Sequence, residues 1–375
     1  MSLGPNEALI GESSFERDLS TPALLVDADI LEANLRKMAD LVARAGRKLR
    51  PHIKAHKSSI LGRRQLEAGA VGLACATVRE TEVMAAAGLS GLLVTTPVVT
   101  ASMIRRLVSS RDKIEDLLVV VDSELGIERL AEQAKLARPI GVLVDIDMGL
   151  ARTGLTDPAE GVRLARLIGK KRALRYRGVQ AYYGHLQHVR TLAERREKVA
   201  EQWARLARFL EALSVAGLAP GIISGGGTGT HHLDLLEGPF TEVQPGSYLL
   251  MDNQYNAVEI APDGVPFATS LTIAGRVVST VQPDRAILDA GWKAMATESG
   301  PAILAGASTG GVTYRFMGDE HGALEYADRG LRPELGHLVR LVAPHCDPTV
   351  NLHDWLHVVR GDSLIDIWPV EARGY

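Results

Sequence analysis

The octapeptide RPHIKAHK, Arg50 to Lys57, sets two lysines and two histidines beside an arginine. A lysine amine attacks a carbonyl only when part of it is deprotonated, and a desolvated, cationic neighbourhood achieves that. Arg50, His56 and Lys57 would supply such a field to Lys54. His52 and His56 have the four-residue spacing of a helical metal site, but Pro51 and the strand-like context remove the helical face on which such histidines converge. A second cluster, PHCDPTVNL at 344–352, places His345 and Asp347 one residue apart. In an extended segment they project to one side while Cys346 points away. An imidazole and a carboxylate with water or substrate completing the shell suit Mn, Mg, Co or Zn. A bulge would instead offer the sulfur of Cys346.

Three further stretches carry polar chemistry. SGGGTGT, residues 224–230, presents Ser224, Gly225, Gly226, Gly227 and Thr228, a backbone that lets several N–H groups approach an anion, with a short helix expected from Thr230. YYGHLQH places Tyr183 and His185 on one face of a strand, where either would orient a cofactor or substrate, and puts His188 within reach as an acid or base. Burial in the core is the competing role for each histidine. QPGSY, 244–248, brings Gln244, Gly246, Ser247 and Tyr248.

Elements must position these groups. Eight β-prone segments, at 47–54, 71–77, 91–97, 116–123, 140–147, 176–184, 221–227 and 241–247, alternate with helical ones, and apolar recurrence over 29–45 and 190–213 predicts two of those helices. Strand-helix alternation implies parallel pairing, and eight units predict an α/β fold, a TIM (β/α)8 barrel with polar strand ends gathered on the C-terminal rim. The glycine run after strand seven falls where such barrels bind phosphate. From residue 261 onward short alternating stretches predict a smaller, mostly β domain, which the strand-like TPALLVD at 21–27 would join. The expected organisation is 1–27 with the β domain, 28–260 the barrel and 261–375 the β domain, with no fold signal in 1–14.

Composition narrows the chemistry. The chain has 375 residues, 46% hydrophobic and 23% charged, enough for a filled core. A formal charge of -3 gives no general electrostatic reason to bind nucleic acid or an anionic membrane. Two cysteines, Cys75 and Cys346, make no disulfide framework, and no apolar run has the length of a membrane span or the setting of an export signal. A cytoplasmic enzyme of small molecules is the expectation.

With VDIDMGLARTG (144–154), DAGWKA (289–294) and GDEHG (318–322) added, the ordered motifs resemble the fold-type III pyridoxal phosphate enzymes, in the metal-activated branch of D-threonine aldolase and D-serine dehydratase, from about Thr21 to Trp368. The resemblance implies that Lys54 binds pyridoxal 5′-phosphate covalently, that Arg152 faces its phenolic oxygen, and that the glycine run with Gly246, Ser247 and Tyr248 holds its phosphate. Where racemase-like members place an arginine on the pyridine nitrogen this chain has Gln244, so their ring protonation does not carry over. Aldolase-like members present His-x-Asp and dehydratase-like members His-x-Cys. The pattern here therefore implies cleavage of β-hydroxy-D-amino acids to glycine and an aldehyde by a homodimer, with dehydration of D-serine, or aldol cleavage or dehydration of D-3-hydroxyaspartate, as the alternative. A metal-dependent barrel hydrolase would need more ligands at the strand ends, and a non-catalytic cofactor carrier would be a barrel alone.

Overall fold

A computed structural model describes residues 3–134, 138–306 and 310–374, so the two first residues of the 1–27 segment and Tyr375 lie outside it. Eight parallel strands form one sheet: β1 (Lys48–Leu49), β2 (Leu73–Cys75), β3 (Leu92–Val94), β4 (Leu117–Val121), β5 (Ile140–Asp147), β6 (Leu174–Tyr182), β7 (Ile222–Gly225) and β8 (Glu242–Val243). Their spatial order is β1-β8-β7-β6-β5-β4-β3-β2. The remaining seam, between β1 and β2, is joined just past β1 by a parallel bridge from His52 to Ala74. This is the expected barrel.

β4 and β5 are buried along their whole length, as strands covered on both faces must be. Each strand gives alternate residues to the interior. Leu93, Leu118, Val120 and Leu143, with Ile222 against them, make an apolar plug. Continuing in the same phase, β5 reaches Asp145 and Asp147, β7 reaches Ser224, and β8 leads from Glu242 to Gln244. The barrel thus changes from apolar to polar toward its C-terminal rim. Outside, helices fill the gaps between strands, among them Leu192–Val215 between β6 and β7. The helix Ala28–Arg44 begins where the Asp27 carboxylate accepts from the N–H of Asp29 and Ile30, buries Leu31, Met38 and Val42 on one stripe, and gives way to Gly46 at φ +62°.

The second domain is a largely antiparallel sheet built from strands between Leu271 and Pro369. Strand Ala23–Asp27 runs antiparallel to Leu271–Ser279 on one side and parallel to Trp355–Arg360 on the other. The chain therefore starts in the β domain, builds the barrel and returns. The return is fastened to the loop after β1: Ser59 donates through N–H and hydroxyl to the Glu371 carboxylate, both at 2.7 Å, and Ala372 N–H donates to Lys57 O at 3.0 Å.

β1 and β8 are short and pair at two positions, with the N–H groups of Lys48, Arg50 and His52 donating to Thr241, Val243 and Pro245 O across the seam. A buried ion pair reinforces it, with Arg50 donating through Nε to Glu242 Oε1 at 2.7 Å and through Nη2 to Oε2 at 3.0 Å. Arg50 also donates to Gly91 O, and Gly72 allows that approach, since a Cβ there would lie 2.2 Å from Arg50 Nη1. Arg50→Met should cost about 3–5 kcal/mol in denaturant unfolding, because it leaves the Glu242 carboxylate buried without its cation. A loss below about 1 kcal/mol would show that the seam does not rely on the pair.

Candidate functional site

Lys54 sits in a single 3-10 turn, Ile53–Ala55, just beyond β1. Its side chain borders a cavity of about 300 Å³ at the barrel rim, together with His52, Thr95, Arg152, Gln180, Tyr182 and Gln244. Arg50, His56 and Lys57 do not give it the cationic field expected of them. Arg50 is committed to Glu242, and Lys57 Nζ donates to Glu80 at 2.7 Å. The nearest charge is of opposite sign: Lys54 Nζ lies 3.2 Å from Asp347 Oδ2. That carboxylate raises the amine above its ordinary pKa, against the effect of burial. His52 and His56 do not converge either. His52 Nε2 is 3.2 Å from Thr95 Oγ1, and His56 Nε2 is 3.2 Å from Gln65 Oε1 inside the core.

The glycine turn after β7 is shaped from beneath. Gly226 has φ +70°, and a Cβ there would lie 2.4 Å from the Asp234 carboxylate. Thr230 Oγ1 donates to Asp234 Oδ2 at 2.6 Å and accepts from Gly227 N–H at 3.2 Å. Gly229 N–H donates to Gln187 Oε1 at 2.9 Å. Among the described residues the backbone N–H groups of Thr228, Gly246 and Ser247 have no partner, while Tyr248 N–H donates to Thr228 Oγ1 at 3.0 Å and so joins the two loops. Gly246 brings the second loop against the lysine turn, because a Cβ would lie 2.8 Å from His52 O. Unpartnered N–H groups beside a cavity that carries a lysine fit a phosphorylated carbonyl compound such as pyridoxal phosphate.

Two tyrosines expected at the cofactor lie elsewhere. Tyr183 is fully buried, with its hydroxyl against Asp234 and accepting from Trp203 Nε1 at 3.2 Å. Tyr182 lines the cavity in its place. The strand ends at Tyr182 and a 3-10 turn follows at Gly184–Leu186, so alternation does not carry Tyr183 and His185 to the same side. The missed signal was Gln180, whose polar side chain fixes the inward phase of β6 and hence of Tyr182. The Tyr248 side chain is also buried, accepting from Gln65 Nε2 at 3.3 Å and packing edge-on against Phe267. His185 is exposed on the rim near Asp147 and Lys198, outside the cavity lining. Arg152 reaches the rim, its guanidinium 6.0 Å from the Tyr182 ring centre. Ser224 and Gln244 meet at the floor, 2.7 Å apart.

His345 and Asp347 approach the lysine from the β domain, in a different local geometry from the extended one expected. His345 is extended and precedes the short helix Cys346–Val350, so Asp347 lies in its first turn. Asp347 Oδ1 accepts from Ser247 Oγ at 3.1 Å and from Cys346 Sγ at 3.3 Å. Burial opposes ionisation of Asp347, but Lys54 and His345 hold its carboxyl well below the usual range. Cys346 therefore does not point away. Burial, then Asp252 and Asp347, push its thiol far up, so it remains a neutral donor and not a thiolate ligand. Glu298, which no motif marked, holds His345 Nδ1 at 2.7 Å and leaves Nε2 as the available nitrogen. His188 lies beside His345 with ring centres 6.5 Å apart, packs at a tilt against Tyr255 with ring centres 4.5 Å apart, and has a buried Nε2 without a partner among the described residues. No group of three or more His, Cys, Asp and Glu among the described residues could hold a metal. One imidazole oriented by a carboxylate and one fixed anionic carboxylate fit a hard divalent cation whose other ligands are water or substrate oxygens.

Known proteins show the same arrangement of domains. The family model for the alanine racemase N-terminal domain matches residues 26–254, and that for a putative serine dehydratase domain matches 270–359. The chain is 39% identical to D-threonine aldolase of Arthrobacter sp, over 95% of this chain and 93% of that one. It is 36% identical to 3-hydroxy-D-aspartate aldolase of Paracoccus denitrificans (strain Pd 1222), over 96% and 93%. The crystal structure of D-threonine aldolase from Filomicrobium marinum superposes with a TM-score of 0.91 at 35% identity, covering 96% of each chain.

Buried histidines around the site set a pH dependence. His56 and His231 are both lowered to about 4 by burial, and His231 Nδ1 sits 2.7 Å from Thr228 O under the glycine turn. A folded pKa below the unfolded 6.5 means that the unfolded chain binds more protons, so stability falls as pH drops from about 6.5 to 4. Asp145, raised to about 6, and Asp234, raised to about 7, act in the opposite sense, because their folded forms bind the proton more tightly. The lowered histidines also include His52, His353 and His357 and outnumber these carboxylates. Urea unfolding should therefore show declining stability over that acid interval, and His231→Gln should make the slope shallower by about one proton. An unchanged slope in the variant would place the proton uptake elsewhere.

Proposed function

We propose, from the premise that the chain belongs to the family joining an alanine-racemase-type N-terminal domain to a serine-dehydratase-type domain, that it is a pyridoxal-phosphate- and divalent-metal-dependent lyase. The family uses pyridoxal phosphate, and its aldolase members here act on β-hydroxy-D-amino acids. The reaction we assign is cleavage of a D-threonine-like substrate to glycine and an aldehyde. The observation that carries the reading is the 3.2 Å approach of Lys54, on the barrel, to Asp347 of the His-x-Asp pair, on the β domain. It supports the reading because the group that would hold the cofactor then lies beside one that would hold a cation.

When bound, the cofactor supplies an electron sink for bond breaking at the α carbon of the amino acid. The chain's own residues do the rest. Lys54 anchors the cofactor, the N–H groups of Thr228, Gly246 and Ser247 take its phosphate, and Arg152 at the rim offers a permanent cation to an anionic oxygen. His345 Nε2 and Asp347 would hold the metal, whose chemistry is to acidify a hydroxyl bound to it. His188 Nε2, unpartnered beside His345, would take the β-hydroxyl proton. The pairing of an ionised Asp347 with a Cys346 kept as thiol favours aldol cleavage over the dehydratase alternative.

Metal-loaded holoenzyme should convert β-hydroxy-D-amino acids to glycine and aldehyde. Release of ammonia and a keto acid instead would move the protein to the dehydratases. His345→Ala and Asp347→Ala should keep the visible cofactor band yet lose most cleavage, whereas Cys346→Ser should stay active. Glu298→Gln should weaken metal activation roughly 10- to 100-fold by loosening the His345 ring. Full activity of metal-stripped wild type would remove the cation from the reaction.

A further inference from the structure

The floor of the cavity is a hydrogen-bond relay whose direction is fixed at both ends. On one side both oxygens of Glu242 accept from Arg50, Oε1 from Nε and Oε2 from Nη2. The single hydroxyl hydrogen of Ser224 goes to Glu242 Oε1 at 2.7 Å, so Ser224 Oγ must accept from Gln244 Nε2, also at 2.7 Å. On the other side Gln180 Nε2 donates to Thr95 O and to Asp145 Oδ1, each at 3.0 Å. That turns Gln180 Oε1 toward Gln244 Nε2, at 3.5 Å. Both neighbours of the Gln244 amide are therefore acceptors. Its two hydrogens point back into the barrel wall, and its Oε1 is neither bonded among the described residues nor sealed from the cavity that Gln244 lines.

We infer that Gln244 is a fixed hydrogen-bond acceptor that takes the cofactor with its ring nitrogen protonated, an inference that rests on the pyridoxal phosphate reading of this cavity. Connectivity of the cofactor selects the partner. The phosphate arm and the phenolic oxygen both flank the carbon joined to Lys54, so they stay at the lysine end of the cavity. The far end of the ring carries a methyl group and the nitrogen, and of these only a protonated nitrogen can donate to Gln244 Oε1. A hydrogen bond made by the charged form favours that form, and the Asp145 carboxylate behind Gln180 adds a negative charge on the same side. An arginine in place of Gln244 would donate and select the unprotonated ring. A glutamine held this way keeps the ring cationic without carrying charge itself, which strengthens the electron sink.

Holoenzyme reconstituted with pyridoxal phosphate isotope-labelled at the ring nitrogen tests this by NMR at neutral pH. The expected wild-type resonance is that of a protonated pyridine, and Gln244→Arg should shift it to the unprotonated position. An unprotonated resonance in wild-type protein that carries the visible, borohydride-removable band would overturn the inference and leave the cofactor reading intact. Absence of the band would overturn both. A second measurement needs no variant: the cofactor analogue with C–H in place of the ring nitrogen should bind wild type roughly tenfold or more weakly, through loss of one charge-assisted hydrogen bond. Equal affinity for the two compounds would overturn the assignment of Gln244 as well.

Discussion

The ion pair between Lys54 and Asp347 is the contact on which the site is organised, because its two members come from different domains. Neither domain alone presents the constellation. Asp347 takes Ser247 and Lys54 from the barrel and Cys346 from its own helix, so the three fix the orientation of one carboxylate. A carboxylate buried to this degree is stable as an anion only while a cation stays beside it. The amine in turn is held charged by the anion. Each group thus keeps the other in a form that differs from what burial alone would give.

The other charges near Lys54 are spent on architecture. Arg50 secures the short β1–β8 seam through Glu242, and Lys57 is tied to Glu80, whose other carboxylate oxygen accepts from Ala76 N–H at 2.5 Å. A sequence window reads both cations as part of a field acting on Lys54. The fold turns them into neutral pairs, and the distinction lies in partners 192 and 23 residues away. Asp347 beside Lys54, Arg152 at the rim and Asp145 behind Gln180 remain to act on the cavity.

Much of the barrel was legible because strand bodies such as LLVVV and IGVLVDID are apolar runs of strand length followed by polar ends. Lys54, the glycine turn and the pair His345 and Asp347 were legible as motifs. What failed was phase and local conformation. A two-residue period alone does not say which of Tyr182 and Tyr183 faces inward; the polar Gln180, in phase with Tyr182, decides it. The HCD segment reads as extended, yet Pro348 sits where the first turn of a helix tolerates proline, and the helix Cys346–Val350 starts there. Glu298 had no readable signal, since its role exists only through a contact across 47 residues.

The lysine turn shows how tightly the two domains share one piece of backbone. Lys57 adopts φ +52°, an unfavourable conformation for a residue with a side chain, two positions after the 3-10 turn that carries Lys54. Its carbonyl accepts from Ala372 and its amine reaches Glu80, so the β domain holds one side of this residue and the barrel the other. Ser59, two residues on, is gripped by Glu371. On the opposite flank Gly246 packs against His52 O, where any larger residue would push the turn away. The amine of Lys54 is therefore placed by a backbone clamped from both domains, with Asp347 fixing the end of its side chain. A long, rotamer-rich lysine loses much entropy when held, and several short contacts to the turn share that cost before the side chain itself is ordered. The position of the amine is in this sense a property of the docked domains, and local sequence around RPHIKAHK specifies only that a lysine is there to be placed.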